Sequence, residues 1–222
     1  MGAAFGGGPA YGGSMSQGGV PGGGVVKLKK QIPSVECKFF DSPIALAGAT
    51  QVWTRIDNNA MLSGIVQGTG PQQRVGRKIK VVGIIVRYAF QVNQGPYCFD
   101  LVRDKQCNGV AATSTQIYTL PLEYGSLPNP FEETRFQFLK RIESYNPAQA
   151  SDVSTSTACS ISFVKKCNIV VEYNASTGAV SDLTSDNVQL YCNNAQVGAL
   201  VGIVPTGAAG ERGFIRVLYT DA

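Results

Sequence analysis

Between Cys159 and Tyr173 the residues sort by parity. Ile161, Phe163, Cys167, Ile169, Val171 and Tyr173 fall on one side of an extended chain. Ser160, Ser162, Lys166, Asn168 and Glu172 fall on the other. Side chains alternate across a strand, so this pattern predicts a half-buried strand, bent or broken near Lys165-Lys166. Arg77–Val92 differs. Val and Ile occupy both parities, with Tyr88 and Phe90 near its end, as in a strand buried between layers. Shorter strands are expected at Tyr97–Val102, Arg135–Ile142, Asn187–Cys192, Val197–Val204 and Gly213–Thr220. Asn108-Gly109 is a turn signal. Leu120–Pro130 and Asn174–Asp186, rich in Gly, Pro, Ser, Thr and Asn, read as long loops. No stretch keeps a helical period, although Pro147–Ser154 could make one turn. About eight strands with no internal repeat predict an all-β fold. The leading architecture is a single eight-stranded jelly-roll sandwich, which pattern alone does not separate from an immunoglobulin-like one.

Residues 1–26 break this pattern. They carry no charged side chain and are dominated by glycine, a composition that cannot offset the entropy of ordering. A flexible Gly-rich arm is expected over residues 1–33, with Lys27, Lys29 and Lys30 as a short basic foot. The folded domain is expected over residues 34–222.

Composition narrows the chemistry. The 222 residues hold no histidine and have a formal net charge of +4. Imidazole metal sites, Ser–His–Asp and Cys–His catalysis are therefore excluded; an enzyme would have to work with carboxylates, lysine, tyrosine or thiol alone, and no cofactor is expected. The longest apolar runs, Val81–Val86 and Val197–Val204, fall short of the roughly 18–20 residues of a membrane helix. No leader pattern is visible at the N-terminus. None of the six cysteines forms a CxxC pair, so buried free thiols are expected, with a Cys98–Cys107 bridge as the alternative.

Motifs for small ligands are weak. Gly68-Thr69-Gly70-Pro71 fails the dinucleotide pattern at Gln73 and the phosphate-loop pattern at Val75. Asp57-Asn58-Asn59 reads as a solvated turn, and Glu132-Glu133 and Glu143 as surface charge. The densest basic cluster is Arg74, Arg77, Lys78 and Lys80. An extended chain puts Lys78 and Lys80 on one face and Arg77 on the other. Such a cluster is either a solvated strand start or a phosphate contact.

The same region carries a resemblance. Leu62-x-x-Ile65-x-Gln67-Gly68, Gln73-Arg74-Val75-Gly76-Arg77-Lys78-Ile79 and Ile84-x-Val86-Arg87 resemble a segment of the capsid proteins of small circular single-stranded DNA viruses, of circovirus and geminivirus type. Leu101-Val102-Arg103-Asp104-Lys105-Gln106-Cys107-Asn108-Gly109 is similar to a second block of that family. Asn129-Pro130-Phe131 through Arg135-Phe136-x-Phe138-Leu139 is similar to a third, and Phe214–Asp221 to its closing strand. The order holds over roughly residues 35–222, and the first motif is shared with capsids of satellite and small RNA plant viruses.

The resemblance implies a jelly roll that self-assembles into an icosahedral virion shell, the simplest of about 60 copies. It also implies an enclosed single-stranded nucleic acid, DNA before RNA, no catalysis and no membrane. Lys27, Lys29, Lys30, Arg74, Arg77, Lys78 and Lys80 would then touch phosphates without reading sequence. The family's arm is usually arginine-rich, whereas residues 1–26 here are uncharged. The competing reading is a non-viral β-sandwich that binds carbohydrate or a cell-surface ligand. Trp53, Tyr88, Tyr118 and Tyr124 would serve it if they were exposed; core or subunit contacts are the expected role.

Overall fold

The computed structural model describes residues 36–44, 52–57, 61–92, 95–146, 157–194 and 212–222, all within the compact unit Val35–Ala222. The glycine-rich arm, its lysine foot, Val197–Val204 and Pro147–Ser154 lie outside the described residues.

Eight strands are described: β1 (Lys38–Pro43), β2 (Thr54–Arg55), β3 (Lys78–Val92), β4 (Gly95–Asp104), β5 (Phe136–Asn146), β6 (Thr157–Glu172), β7 (Asn187–Asn194) and β8 (Arg212–Asp221). One sheet has the order β1-β8-β3-β6 and the other β2-β7-β4-β5. All paired neighbours are antiparallel. Apart from β4 and β5, which pair directly, each strand passes to the opposite sheet from its predecessor. This winding is the eight-stranded jelly roll. The immunoglobulin-like alternative is thereby set aside.

The core lies between the sheets. Ile79, Val81, Ile84, Val86, Ile169, Val171, Ile215 and Val217 face Phe99, Leu101, Val188 and Leu190, all buried. Side chains of this kind each contribute roughly 1.5–3 kcal/mol when fully buried.

The two-faced apolarity of β3 has a local cause. Its register steps between Val81 and Gly83 against both β6 and β8. The buried set passes from Ile79 and Val81 to Ile84, Val86 and Tyr88. An extra residue in one strand of a pair changes the face its side chains take. β6 is not broken and runs from Thr157 to Glu172, but its pairing with β3 slips by one residue between Ile169 and Lys166, next to the expected position at Lys165-Lys166. In this pair the extra residue lies in β6, whereas against β8 it lies in β3.

The β4–β5 connection contains structure that periodicity did not announce: a single helical turn, α1 (Ser114–Ile117), and a 3-10 turn at Pro130–Glu132. The turn signal at Asn108-Gly109 falls on a bend of the β4–β5 connection, with Gly109 at φ 86°, just after the turn at Lys105-Gln106.

Candidate functional site

The outer faces of the two sheets have opposite characters. On the β2-β7-β4-β5 sheet, the residues pointing away from the central core are themselves covered. Cys98, Val102, Phe136 and Tyr191 pack with Trp53, Ala112, Ile117 and Tyr118 in a second buried cluster. The cover is the β4–β5 connection. Trp53 stacks on Tyr118 with ring centres 4.2 Å apart, and its Nε1 donates to the carbonyl of Glu123 at 3.2 Å. Trp53 and Tyr118 are thus core residues of this cluster with Tyr124 packed at its edge, and Tyr88 is buried in the core between the sheets.

Charges beneath this cover are paired. Asp100 is fully buried. It accepts from Arg141 Nε at 2.8 Å and Nη2 at 2.7 Å, and from the Tyr118 hydroxyl at 3.0 Å. Burial pushes the Asp100 carboxyl up, with the Arg141 and Tyr118 bonds opposing the shift. Asp104 accepts both Nε and Nη2 of Arg135 at 2.9 Å. Asp57, expected in a solvated turn, is buried and bound by Arg55. It is shielded because Ile56 N donates to Leu190 O and holds the segment against β7. Outside the cover, the same connection exposes Leu120, Leu122, Leu127 and Phe131, Phe131 at 93%. Thr119 N donates to Leu127 O at 3.1 Å, so Leu120 and Leu127 lie on adjoining arms of this connection.

The predicted phosphate residues divide. Arg74 is a correction: it is fully buried. Its guanidinium donates to the carbonyls of Ile65 at 3.2 Å, Gly76 and Ala175, and it stacks 4.1 Å from the centre of the Tyr173 ring. Around it, Gly68 N donates to Arg74 O and Arg74 N to Val66 O. Arg74 thus fastens a loop and has no face for a phosphate. Arg77, Lys78 and Lys80 are exposed. Lys78 stands 3.3 Å from Glu172, both side chains about half exposed. Lys38, next to the arm, is buried against Asp221 at 2.8 Å and the carbonyl of Gln73 at 3.1 Å.

Among the described residues, nothing covers the outer face of the β1-β8-β3-β6 sheet. Register places Asp41, Arg216, Ile85 and Val164 in one row, and Phe214, Arg87 and Ser162 in the next. Val164 is 65% exposed. The described carboxylates of this face, Asp41 and Glu172, are paired: Asp41 takes Arg216 Nε and Nη2 at 2.7 Å each, and Glu172 faces Lys78. Lys80, Arg87 and Lys166 are exposed and have no ion pair among the described residues. Sequence reasoning found Lys80 and missed Arg87 and Lys166. The signal for Lys166 was present, since it falls on the polar parity of β6. For Arg87 the step in β3 had to be known first.

The described thiols are unbridged. Cys98, Cys107 and Cys192 are buried, Cys167 is half-buried and Cys37 exposed. The Cys98–Cys107 alternative is therefore set aside, and burial pushes Cys98, Cys107 and Cys192 up from their ordinary pKa. Cys37 departs from the buried-thiol expectation because it precedes β1. Among the described residues, no group of His, Cys, Asp and Glu could hold a metal ion, and no helix is long and apolar enough to cross a membrane.

No protein-family model matches the chain, and no curated protein matches it. Among solved structures, a chain of Desmodium yellow mottle tymovirus aligns with 12% identity and a TM-score of 0.28. The alignment covers 99% of this chain and 93% of that one. A score this low carries no functional weight.

Proposed function

We propose that this chain is a structural capsid protein that self-assembles into a small icosahedral shell. The shell encloses single-stranded nucleic acid, DNA before RNA, held without sequence preference. In this reading the chain acts in the virion and performs no catalysis. Jelly rolls also serve lectins and cupins, and a fold alone does not give a function. The observation that carries the reading is the apolar group Leu120, Leu122, Leu127 and Phe131, exposed on one surface connection. Large apolar side chains exposed together on one connection are what protein–protein contacts use. The four ordered sequence motifs supply the rest of the support. The other long loop, 174–186, is mostly polar and exposed and fits an outward surface better.

Nucleic acid would be held electrostatically. At +4 per chain, about 60 copies bring roughly +240 against on the order of a thousand phosphates for a kilobase strand. Packaging would therefore depend on where the exposed cations point. Arg77, Lys78 and Lys80, together with Lys27, Lys29 and Lys30, are the residues proposed to meet phosphate.

The test is negative-stain electron microscopy of purified protein, with the ratio of absorbance at 260 and 280 nm read on the same fraction. Uniform closed shells with a high ratio are expected. Replacing Leu122 and Phe131 together by Ser should abolish shells while the chain stays folded. A wild-type chain that remains monomeric at high concentration, across assembly-favouring salt and pH, would reject the capsid reading.

A further inference from the structure

A cleft of ≈ 410 Å³ opens on the uncovered face, where β3, β6 and β8 run side by side. Arg87, Tyr88, Ser160, Ser162, Gly213 and Phe214 line it. Arg87 is opposite Ser162 on one side and Phe214 on the other. Arg87, Ser160 and Ser162 are exposed, and the Phe214 ring is 37% exposed. One row of the sheet thus presents an aromatic surface, a guanidinium and a hydroxyl in sequence. Between the outward rows of Arg87 and Ala89 its floor is the backbone of the paired row Ile161, Tyr88 and Gly213, whose Tyr88 and Ile161 side chains turn into the core. A Cβ at position 213 would collide with the Tyr88 ring and stand 3.0 Å from the Arg87 carbonyl, so glycine lets β8 lie close against β3 here.

We infer that this cleft holds one nucleotide of a single strand, its base against Phe214 and its phosphate on Arg87, with the serine hydroxyls as further hydrogen-bonding partners. The charge of the surrounding face selects this occupant. Asp41 and Glu172 are each paired, so the cations of the face that are without ion pairs among the described residues, Lys80, Arg87 and Lys166, set its sign. A polyanion is complementary to such a face. Aromatic stacking serves any base, and a nearby arginine serves any phosphate, so the site would be indifferent to sequence. The inference rests on the nucleic-acid part of the function proposed above and gives it a specific place.

The experiment is fluorescence anisotropy of labelled decathymidylate on the full chain, repeated with an abasic strand of equal length and over a range of salt. Arg87→Gln should weaken binding of the thymidylate about 5- to 10-fold and lower the salt slope by about 0.7, the loss of one single-strand phosphate contact. Arg87→Lys should keep the slope. Phe214→Leu should weaken the thymidylate about 5-fold or more and leave the abasic strand unchanged, which mere disturbance of the fold would not do. Binding of thymidylate unchanged in Arg87→Gln and Phe214→Leu overturns the inference, as does an equal loss on both strands in Phe214→Leu. Closed shells with such unchanged binding would leave the capsid reading intact. Arg87- and Phe214-dependent binding without shells would reject the shell and keep the cleft.

Discussion

The two sheets share a core but treat their outer faces in opposite ways. The β2-β7-β4-β5 sheet is roofed by its own β4–β5 connection, and its aromatic and ionic groups are used up beneath that roof. Trp53 stacks on Tyr118, Asp100 holds Arg141, and Asp104 holds Arg135. The β1-β8-β3-β6 sheet has Val164, Phe214, Lys80, Arg87 and Lys166 toward solvent. A charge under a roof must be paired, because an unpaired one costs several kcal/mol. A charge on an open face has no such constraint and can wait for a partner. The contrast teaches where to look for binding: on the face whose cations the fold does not use.

The largest break in this comparison should come from opening the roof. Trp53→Ala removes a fully buried indole and its stack on Tyr118, and should cost about 3–5 kcal/mol, read as a lower denaturation midpoint. Thiol chemistry sharpens the same point. In the native wild type, Cys37 should react with a maleimide at neutral pH while Cys98, Cys107 and Cys192 stay protected by burial. In Trp53→Ala, Cys98 should become reactive, since it lies in the same cluster. Early reaction of Cys98 in the wild type would mean that the roof is loose.

Next in size is the loop joining β6 to β7. Gly178 has φ 77°, and a Cβ there would lie 2.6 Å from Val66 Cγ1 and 3.2 Å from the Ser63 carbonyl. Gly178→Ala should destabilise by about 1–3 kcal/mol, again by denaturant midpoint.

A smaller effect is set by pH in the same loop. Burial would raise the Asp182 carboxyl. Bonds from the Thr177 hydroxyl and from backbone N–H groups of Gly178, Ala179 and Thr177 outweigh this and hold it below its ordinary value. A depressed carboxyl stabilises the fold above its unfolded pKa, about 3.9, and that stability is lost as pH falls through the lower folded value. Protection of this loop against hydrogen exchange, corrected for the intrinsic rate, should therefore fall below about pH 4. Asp182→Asn should lower protection at neutral pH and flatten this dependence. An unaltered pH profile in the variant would show that another group controls the loop.

The smallest effect on stability belongs to the open face. Lys80→Gln or Lys166→Gln should change it by no more than about 0.5 kcal/mol. The same substitutions should lower retained nucleic acid in assembled particles, measured by the absorbance ratio. A large stability loss would mean that these cations are structural after all, as Arg74 proved to be.

Arg74 shows what a motif can and cannot say. It was singled out as a cation in a basic cluster, yet its guanidinium fastens a loop through three carbonyls and a tyrosine ring. Asp104 and Arg135 came from separate motifs and meet as one ion pair. The residues that carry the resemblance are in these cases fold-building. Leu120, Leu122 and Leu127 belonged to a segment legible only as a loop. Their exposure depends on how the β4–β5 connection closes over Trp53, which no local pattern encodes.

What the amino-acid order determined by itself was the all-β class and the six strands β3 to β8, because side-chain alternation is a local property of the chain; the short strands β1 and β2 were not read from it. It also determined the absence of imidazole chemistry. The parity of β6 was readable for the same local reason. Only the tertiary structure decided the strand order that makes this a jelly roll, the step in β3 that turns Arg87 outward, and the burial of Arg74. Each of those depends on which strands lie side by side and which surface is covered, and contacts between residues far apart in sequence set both.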